Sequence, residues 1–144
     1  MNRERPTIQV SATFTAEPIR QPLAFWMDHL GLEMVIAFSG FQQTLQQALD
    51  TQSESAGNQE GTNLFLIRSR DLGEAGGVEE LVTAILGLAE RSKANQLVIF
   101  CPDENPGTDL VAREKAAIDR LNRCGNIDAL AFADWEETYP VAAR

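Results

Sequence analysis

Apolar and polar residues along this chain follow two rhythms. Five short runs are continuously apolar or alternate with period two: Thr7 to Thr13, Leu32 to Phe38, Asn63 to Arg68, Gln96 to Cys101 and Ile127 to Phe132. The third and fourth carry Leu64-Phe65-Leu66-Ile67 and Leu97-Val98-Ile99-Phe100, almost without a polar break. A strand reads that way when both of its faces are covered, the condition of a parallel sheet held between helical layers. The first run is patterned, with Ile8, Val10 and Ala12 on one face.

The segments between the runs have helical spacing. Pro22 suits the first position of a helix, and Leu23, Trp26, Met27 and Leu30 then share a face before Gly31 stops it. On this reading Trp26 is largely buried, and Trp26→Ala costs about 3–5 kcal/mol. Phe41 to Leu49 predicts a short helix with Leu45, Ala48 and Leu49 inward. Val78 to Ala94 predicts a longer one with the stripe Leu81, Ile85, Leu88 and Ala89. Thr108 to Cys124 predicts the last, with Thr108 as N-cap, Leu110, Val111, Ile118 and Leu121 inward, and Gly125 beyond its end. Strand-helix-strand alternation implies right-handed crossovers and a three-layer, flavodoxin-like α/β fold with a five-stranded parallel sheet in the order 2-1-3-4-5. No repeat or boundary divides residues 1–144, which read as one domain. Thr51 to Gly61, rich in Ser, Gln, Glu and Gly, reads as a mobile surface loop.

Composition adds limits. With 44% apolar and 23% charged residues in 144, the chain can bury a sizeable core. A formal net charge of −9 argues against nucleic acid and anionic membrane as partners, and against simple attraction to another acidic protein. No apolar run reaches membrane-span length, and no signal-peptide core follows Met1 to Pro6, so a cytoplasmic location is expected. Cys101 and Cys124 read as reduced thiols near the core.

In an open α/β sheet, ligands bind outside the carboxyl ends of the strands. The first strand brings Ser11, Thr13, Phe14 and Thr15 there, the second Ser39 and Gly40, and the third Arg68, Ser69, Arg70 and Asp71. The fourth brings Asp103 and Glu104, and the fifth Asp134 and Trp135. A serine hydrolase needs a base beside its hydroxyl. The only histidine is His29, near the end of the first helix and away from that edge. No Gly-x-Ser-x-Gly elbow and no phosphate-binding glycine motif occurs, and metal-ligand spacing is absent. Gly73, Gly76 and Gly77 read as a connecting turn. Asp71, Asp103 and Asp134 could converge at the edge or serve as helix caps. Ser11, Thr13 and Thr15 are weak catalytic candidates. Arg68 and Arg70 point to one side if the third strand runs that far. There they could grip a phosphate with charge-assisted hydrogen bonds, or pair with Asp71 or Glu74.

Several stretches, in order, resemble the SGNH-hydrolase-like region at the front of FkbH-like proteins, a region also found inside polyketide and nonribosomal peptide synthetases. They are Ser11-Ala-Thr-Phe-Thr-Ala-Glu-Pro18, Pro22-Leu-Ala-Phe-Trp-Met27 with Leu30-Gly-Leu32, and Phe41-Gln-Gln-Thr-Leu-Gln-Gln-Ala-Leu-Asp50. Gly61-Thr-Asn-Leu-Phe-Leu-Ile-Arg68 with Asp71-Leu72, then Asp134-Trp135 and Tyr139-Pro140-Val141, continue the likeness. Three features depart from the family. Ser39-Gly40-Phe41-Gln42 stands where members carry Pro-Tyr-Asn. The histidine-bearing segment that follows Tyr-Pro-Val is missing, and so is the Asp-x-Asp-x-Thr motif of the phosphatase-like domain. The resemblance implies an SGNH-like domain excised or truncated from a larger protein. It implies a noncatalytic accessory or interaction domain of such an assembly line. Its partners would be a carrier protein or neighbouring synthase domains, and its one cofactor contact the carrier-bound phosphopantetheine. The alternative is an enzyme or half-enzyme acting on a carrier-bound acyl group, its base supplied from elsewhere. A third reading is a free-standing regulatory or ligand-binding domain.

Overall fold

A computed structural model describes residues 6–40, 43–73, 76–102 and 107–131. The five strands are β1 (Thr7–Ala12), β2 (Val35–Phe38), β3 (Thr62–Ile67), β4 (Asn95–Phe100) and β5 (Ile127–Ala131). They form one sheet in the order β2-β1-β3-β4-β5, every neighbouring pair parallel. The helices are α1 (Arg20–His29), α2 (Thr44–Leu49), α3 (Glu54–Gly57), α4 (Gly77–Arg91) and α5 (Gly107–Asn122). Fold class and strand order are those the alternation predicts.

One face of the sheet carries the main core. Phe65, Ile67, Val98, Phe100, Ile127 and Ala129 pack there against Leu81, Ile85 and Leu88 of α4, Ala117 and Leu121 of α5 and Ala48 of α2. The predicted α4 stripe is the buried one. The opposite face holds Val10, Leu64 and Leu66, with Ile8, Ile36, Phe38, Leu97 and Ile99 only partly buried around them. α1 lies on this second side. The Arg20 guanidinium donates to the Ile36 carbonyl at 3.2 Å and sits 4.6 Å over the Phe38 ring.

Several sequence expectations are corrected. α1 begins at Arg20, after a 3-10 turn at Glu17–Ile19, so Pro22 stands third in the helix. It is tolerated there because first-turn N–H groups have no intrahelical acceptor. Of the α1 stripe only Met27 is buried, while Trp26 is 56% and Leu30 64% exposed. Leu32 is not in β2. Gly31 adopts φ 71°, Gly31 N–H donates to the Asp28 carbonyl and Leu32 N–H to that of Met27, a Schellman closure that claims residue 32 for the helix end. In α2, Leu49 is exposed while Thr44 and Gln47 are buried. In α5, Val111 is exposed and Thr108 lies inside the helix.

Thr51 to Gly61 is not an unstructured loop. It contains α3, capped by Ser53 Oγ accepting from Ala56 N–H at 3.0 Å. Gln47 Oε1 accepts from both the N–H and the hydroxyl of Ser55. Asn63 Nδ2 donates to the Ser55 carbonyl, and Asn58 Nδ2 donates to the carbonyls of Thr7 and Thr62. Gly61 is obligatory at this crossing, since a Cβ would collide with the Thr7 carbonyl. Behind the segment, Gln9, Asn63 and Gln96 align across β1, β3 and β4 as a buried amide row.

Candidate functional site

The order β2-β1-β3 means that the chain leaves β1 toward one side and returns to build β3 on the other. Such a switch point opens a crevice at the carboxyl ends of the two strands. A pocket of about 420 Å³ lies there, lined by Thr13, Phe14 and Thr15 after β1, Thr44 and Leu45 at the start of α2, and Arg68, Asp71 and Leu72 after β3.

The wall between β1 and β3 is built from a linked set of hydrogen bonds. Arg68 N–H donates to Thr13 Oγ1 at 2.9 Å, and the Thr13 hydroxyl donates to Asp71 Oδ2 at 3.1 Å. Arg68 Nε reaches the same carboxylate oxygen at 2.9 Å, and its guanidinium lies 5.6 Å over the Phe14 ring. These contacts exist because β3 stops at Ile67. Arg68 stays extended, and Ser69–Leu72 wind into a 3-10 turn that brings Asp71 back over the strand end. Ser69 is turned to the other side, its hydroxyl donating to Glu114 of α5 at 2.6 Å.

Thr44 is different. The residue borders the pocket and is only 4% exposed, and its buried hydroxyl has no hydrogen-bond partner. Among the described residues, the other buried side-chain atom in that state is Gln96 Oε1 in the amide row. Buried polar groups are nearly always paired.

The fold is shared with a solved bacterial protein. It is the N-terminal part of the protein BF1531 from Bacteroides fragilis, whose crystal structure contains a phosphatase domain complexed with Mg. The match has a TM-score of 0.73 over 94% of this chain, at 9% identity. It covers 43% of that chain, so the present chain spans less than half of it. At that identity the likeness shows the fold alone. No protein-family profile and no curated protein matches the sequence.

The structure brings Thr13, Thr15, Arg68 and Asp71 together, as the strand-end rule expects. Ser11 is not with them. It is buried under β2, its hydroxyl 3.0 Å from that of Ser39, which also accepts from Gln9 Nε2. Ser11 lies within β1 and points to the α2 side, so it is withdrawn as a catalytic candidate. Arg70 does not share a side with Arg68, because the strand ends before either; it is exposed on the 3-10 turn and does not line the pocket. Asp103, Glu104, Asp134 and Trp135, and with them the expected convergence of acids, lie outside the described residues. His29 is exposed at the end of α1, beside Phe25 and Trp26. A crossover helix runs back along the sheet, so its C-terminus lies at the opposite edge from the pocket. Cys101 and Cys124 are unpaired and half-buried, and burial pushes the Cys101 thiol above its ordinary value. Among the described residues no three His, Cys, Asp or Glu side chains gather into a cluster, and no helix is long and apolar enough to cross a membrane.

The sequence reading missed Thr44. Its signal was modest: the first residue of the helix that enters from β2 must stand beside the β1–β3 crevice.

Proposed function

We propose that this chain is a noncatalytic accessory domain that receives a carrier-bound group, in the setting of a polyketide or nonribosomal peptide assembly line. The observation that carries this reading is that Thr13, Arg68 and Asp71 are spent on one another. Nucleophilic catalysis needs a hydroxyl beside an acceptor able to take its proton. Thr13 has an acceptor in Asp71, but that carboxylate is held by Arg68, and the hydroxyl itself accepts from the Arg68 backbone. The groups fasten two loops to each other, an arrangement suited to holding a ligand in place.

Two further facts support the setting. The resemblance implies a region that precedes a phosphatase-like domain, and the fold neighbour is a chain that contains a phosphatase domain and is matched over 43% of its length. This sequence carries no Asp-x-Asp-x-Thr motif, so phosphoryl transfer is not assigned to it. Carrier proteins are acidic and this chain has a net charge of −9, so contact must be local. Arg68 at the pocket mouth, fixed by Asp71, is the basic side chain placed for it, and Arg70 stands outside the pocket on the exposed turn beside it.

The test is titration of the isotope-labelled domain with its cognate carrier, with and without the phosphopantetheine arm. The armed carrier is expected to shift resonances of Thr13–Thr15 and Arg68–Leu72, and the Arg68→Ala, Arg70→Ala double variant to bind it more weakly. Small esters and thioesters are expected to turn over at background rate. Absence of carrier binding overturns the reading. Turnover above background that disappears in Thr13→Ala replaces it with the half-enzyme.

A further inference from the structure

We infer that the pocket takes an uncharged chain bearing amide or hydroxyl groups, with Thr44 as the residue that recognises it. The inference rests on the reading above for its choice of ligand source, and on the pocket itself for its chemistry.

The charges decide against an anion. Among the described residues, Arg68 and Asp71 are the charged side chains lining the pocket, and they pair with each other at 2.9 Å. An incoming phosphate or carboxylate would compete for Arg68 with a carboxylate tethered three residues away, and would meet that carboxylate's repulsion. An incoming cation meets the reverse problem. What remains is a mixed lining: Phe14, Leu45 and Leu72, interrupted by the threonines Thr15 and Thr44, the hydroxyl of Thr44 buried just behind the surface. The volume of about 420 Å³ falls in the range of small-molecule sites, which combine apolar walls with a few placed polar groups.

Thr44 supplies the specific element. Its hydroxyl is buried against the pocket and unpartnered, so the free protein leaves one hydrogen bond unmade. Rotation about χ1 carries the threonine hydroxyl to another of the staggered positions on Cβ, and a ligand carbonyl or amide that reaches it there can complete the bond. The same feature separates recognition from architecture. A hydroxyl with no partner adds nothing to the stability of the free protein, so Thr44→Val, which keeps the shape, leaves folding intact or improved. A ligand that uses the hydroxyl loses affinity in the same variant.

The probes are pantetheine, which has two amides and hydroxyls and no phosphate, and inorganic phosphate, each titrated at millimolar concentration into labelled protein. Pantetheine is expected to shift Thr15, Thr44 and Leu45 resonances and phosphate to leave them in place. Thr44→Val is expected to weaken pantetheine binding about tenfold, the worth of one ordinary hydrogen bond, with a thermal midpoint equal to or above that of the parent. Absence of pantetheine shifts, phosphate shifts at the same residues, or undiminished pantetheine affinity in Thr44→Val overturns the inference. Thr44-dependent pantetheine binding without carrier binding overturns the proposed function and leaves this inference standing. Carrier binding indifferent to Thr44→Val does the opposite.

Discussion

Helices α1 and α4 look alike in sequence and behave differently in the fold. Each has apolar residues at i, i+3 and i+4 spacing. α4 buries Val78, Leu81, Val82, Ala84, Ile85, Leu88 and Ala89, whereas α1 buries Met27 and leaves Phe25, Trp26 and Leu30 more than half exposed. α4 crosses the centre of the sheet and touches α2 and α5 on either flank, so its wide stripe is covered throughout. α1 lies near the edge strand β2, and Arg20 fixes its rotation by bonding Ile36 and covering Phe38. That anchor turns Arg20, Ala24 and Met27 toward β2. Phe25, Trp26 and His29, about half a turn around, point outward and touch one another, Phe25 stacked on His29 and Trp26 edge-on to both. A helix that is apolar around its circumference has two candidate inner faces, and periodicity alone cannot choose between them.

The sharpest way to break the contrast is to empty the core under α4. Leu88 is fully buried among Phe65, Val98 and Leu121 neighbours in the main cluster. Leu88→Ala is expected to cost about 2–5 kcal/mol, the range for a buried leucine whose cavity cannot collapse. Urea unfolding measures it. A loss below about 1 kcal/mol, the scale of a surface change, would put α4 on the same footing as α1.

A smaller effect is expected at the polar lock behind α2. Gln47 accepts from Ser55 N–H and Oγ and donates to Glu54 at 2.6 Å. Gln47→Leu leaves the buried Ser55 donors without an acceptor, at a cost of about 1–3 kcal/mol. The Gln47 amide and the Glu54 backbone hold the Glu54 carboxyl below its ordinary value of 4.5, and burial opposes them only weakly. A depressed acid contributes stability above its unfolded value and loses it as pH falls through the folded one. Glu54 is exposed, so solvent screening keeps this contribution small. Unfolding curves at neutral pH and below the ordinary Glu range should show an acid-side loss in the parent that shrinks in Gln47→Leu. Equal stability of the two proteins at neutral pH would mean that the lock does not organise α3.

How much of this was legible follows from where each signal resides. The runs around Phe65 and Val98 announce β3 and β4, because a doubly covered strand has no polar face to hide. Strand order follows from chain alternation and handedness. The segment from Thr51 to Gly61 was misread because its stability lies in hydrogen bonds from the side chains of Ser53, Asn58 and Gln47 to backbone, with Ser55 bonded to Gln47, and those residue types also compose solvated loops. In the pocket, Thr13, Thr15, Arg68 and Asp71 were readable from the strand-end rule. Arg70 was misplaced because one residue decides where β3 stops, and Thr44 was missed because the Gln-rich helix gave no apolar reason to look inward at its first turn.

The smallest expected effect is the one that most sharpens the contrast between α1 and α4. Trp26 is 56% exposed, so its removal uncovers little and leaves no cavity. What it loses is edge contact with Phe25 at 5.7 Å and His29 at 5.8 Å. Aromatic pairs contribute about 0.5–1.5 kcal/mol beyond their buried area, and exposed ones belong at the low end. Alanine also returns some helix propensity that tryptophan lacks. Trp26→Ala is therefore expected to change stability by less than about 1 kcal/mol, against the 3–5 kcal/mol of a buried tryptophan. Urea unfolding of this variant beside Met27→Ala makes the comparison within one helix. Met27→Ala removes the buried member and should cost more. A larger loss for Trp26 than for Met27 would show that the outer face of α1 is covered in solution and that Arg20 does not set the rotation of the helix.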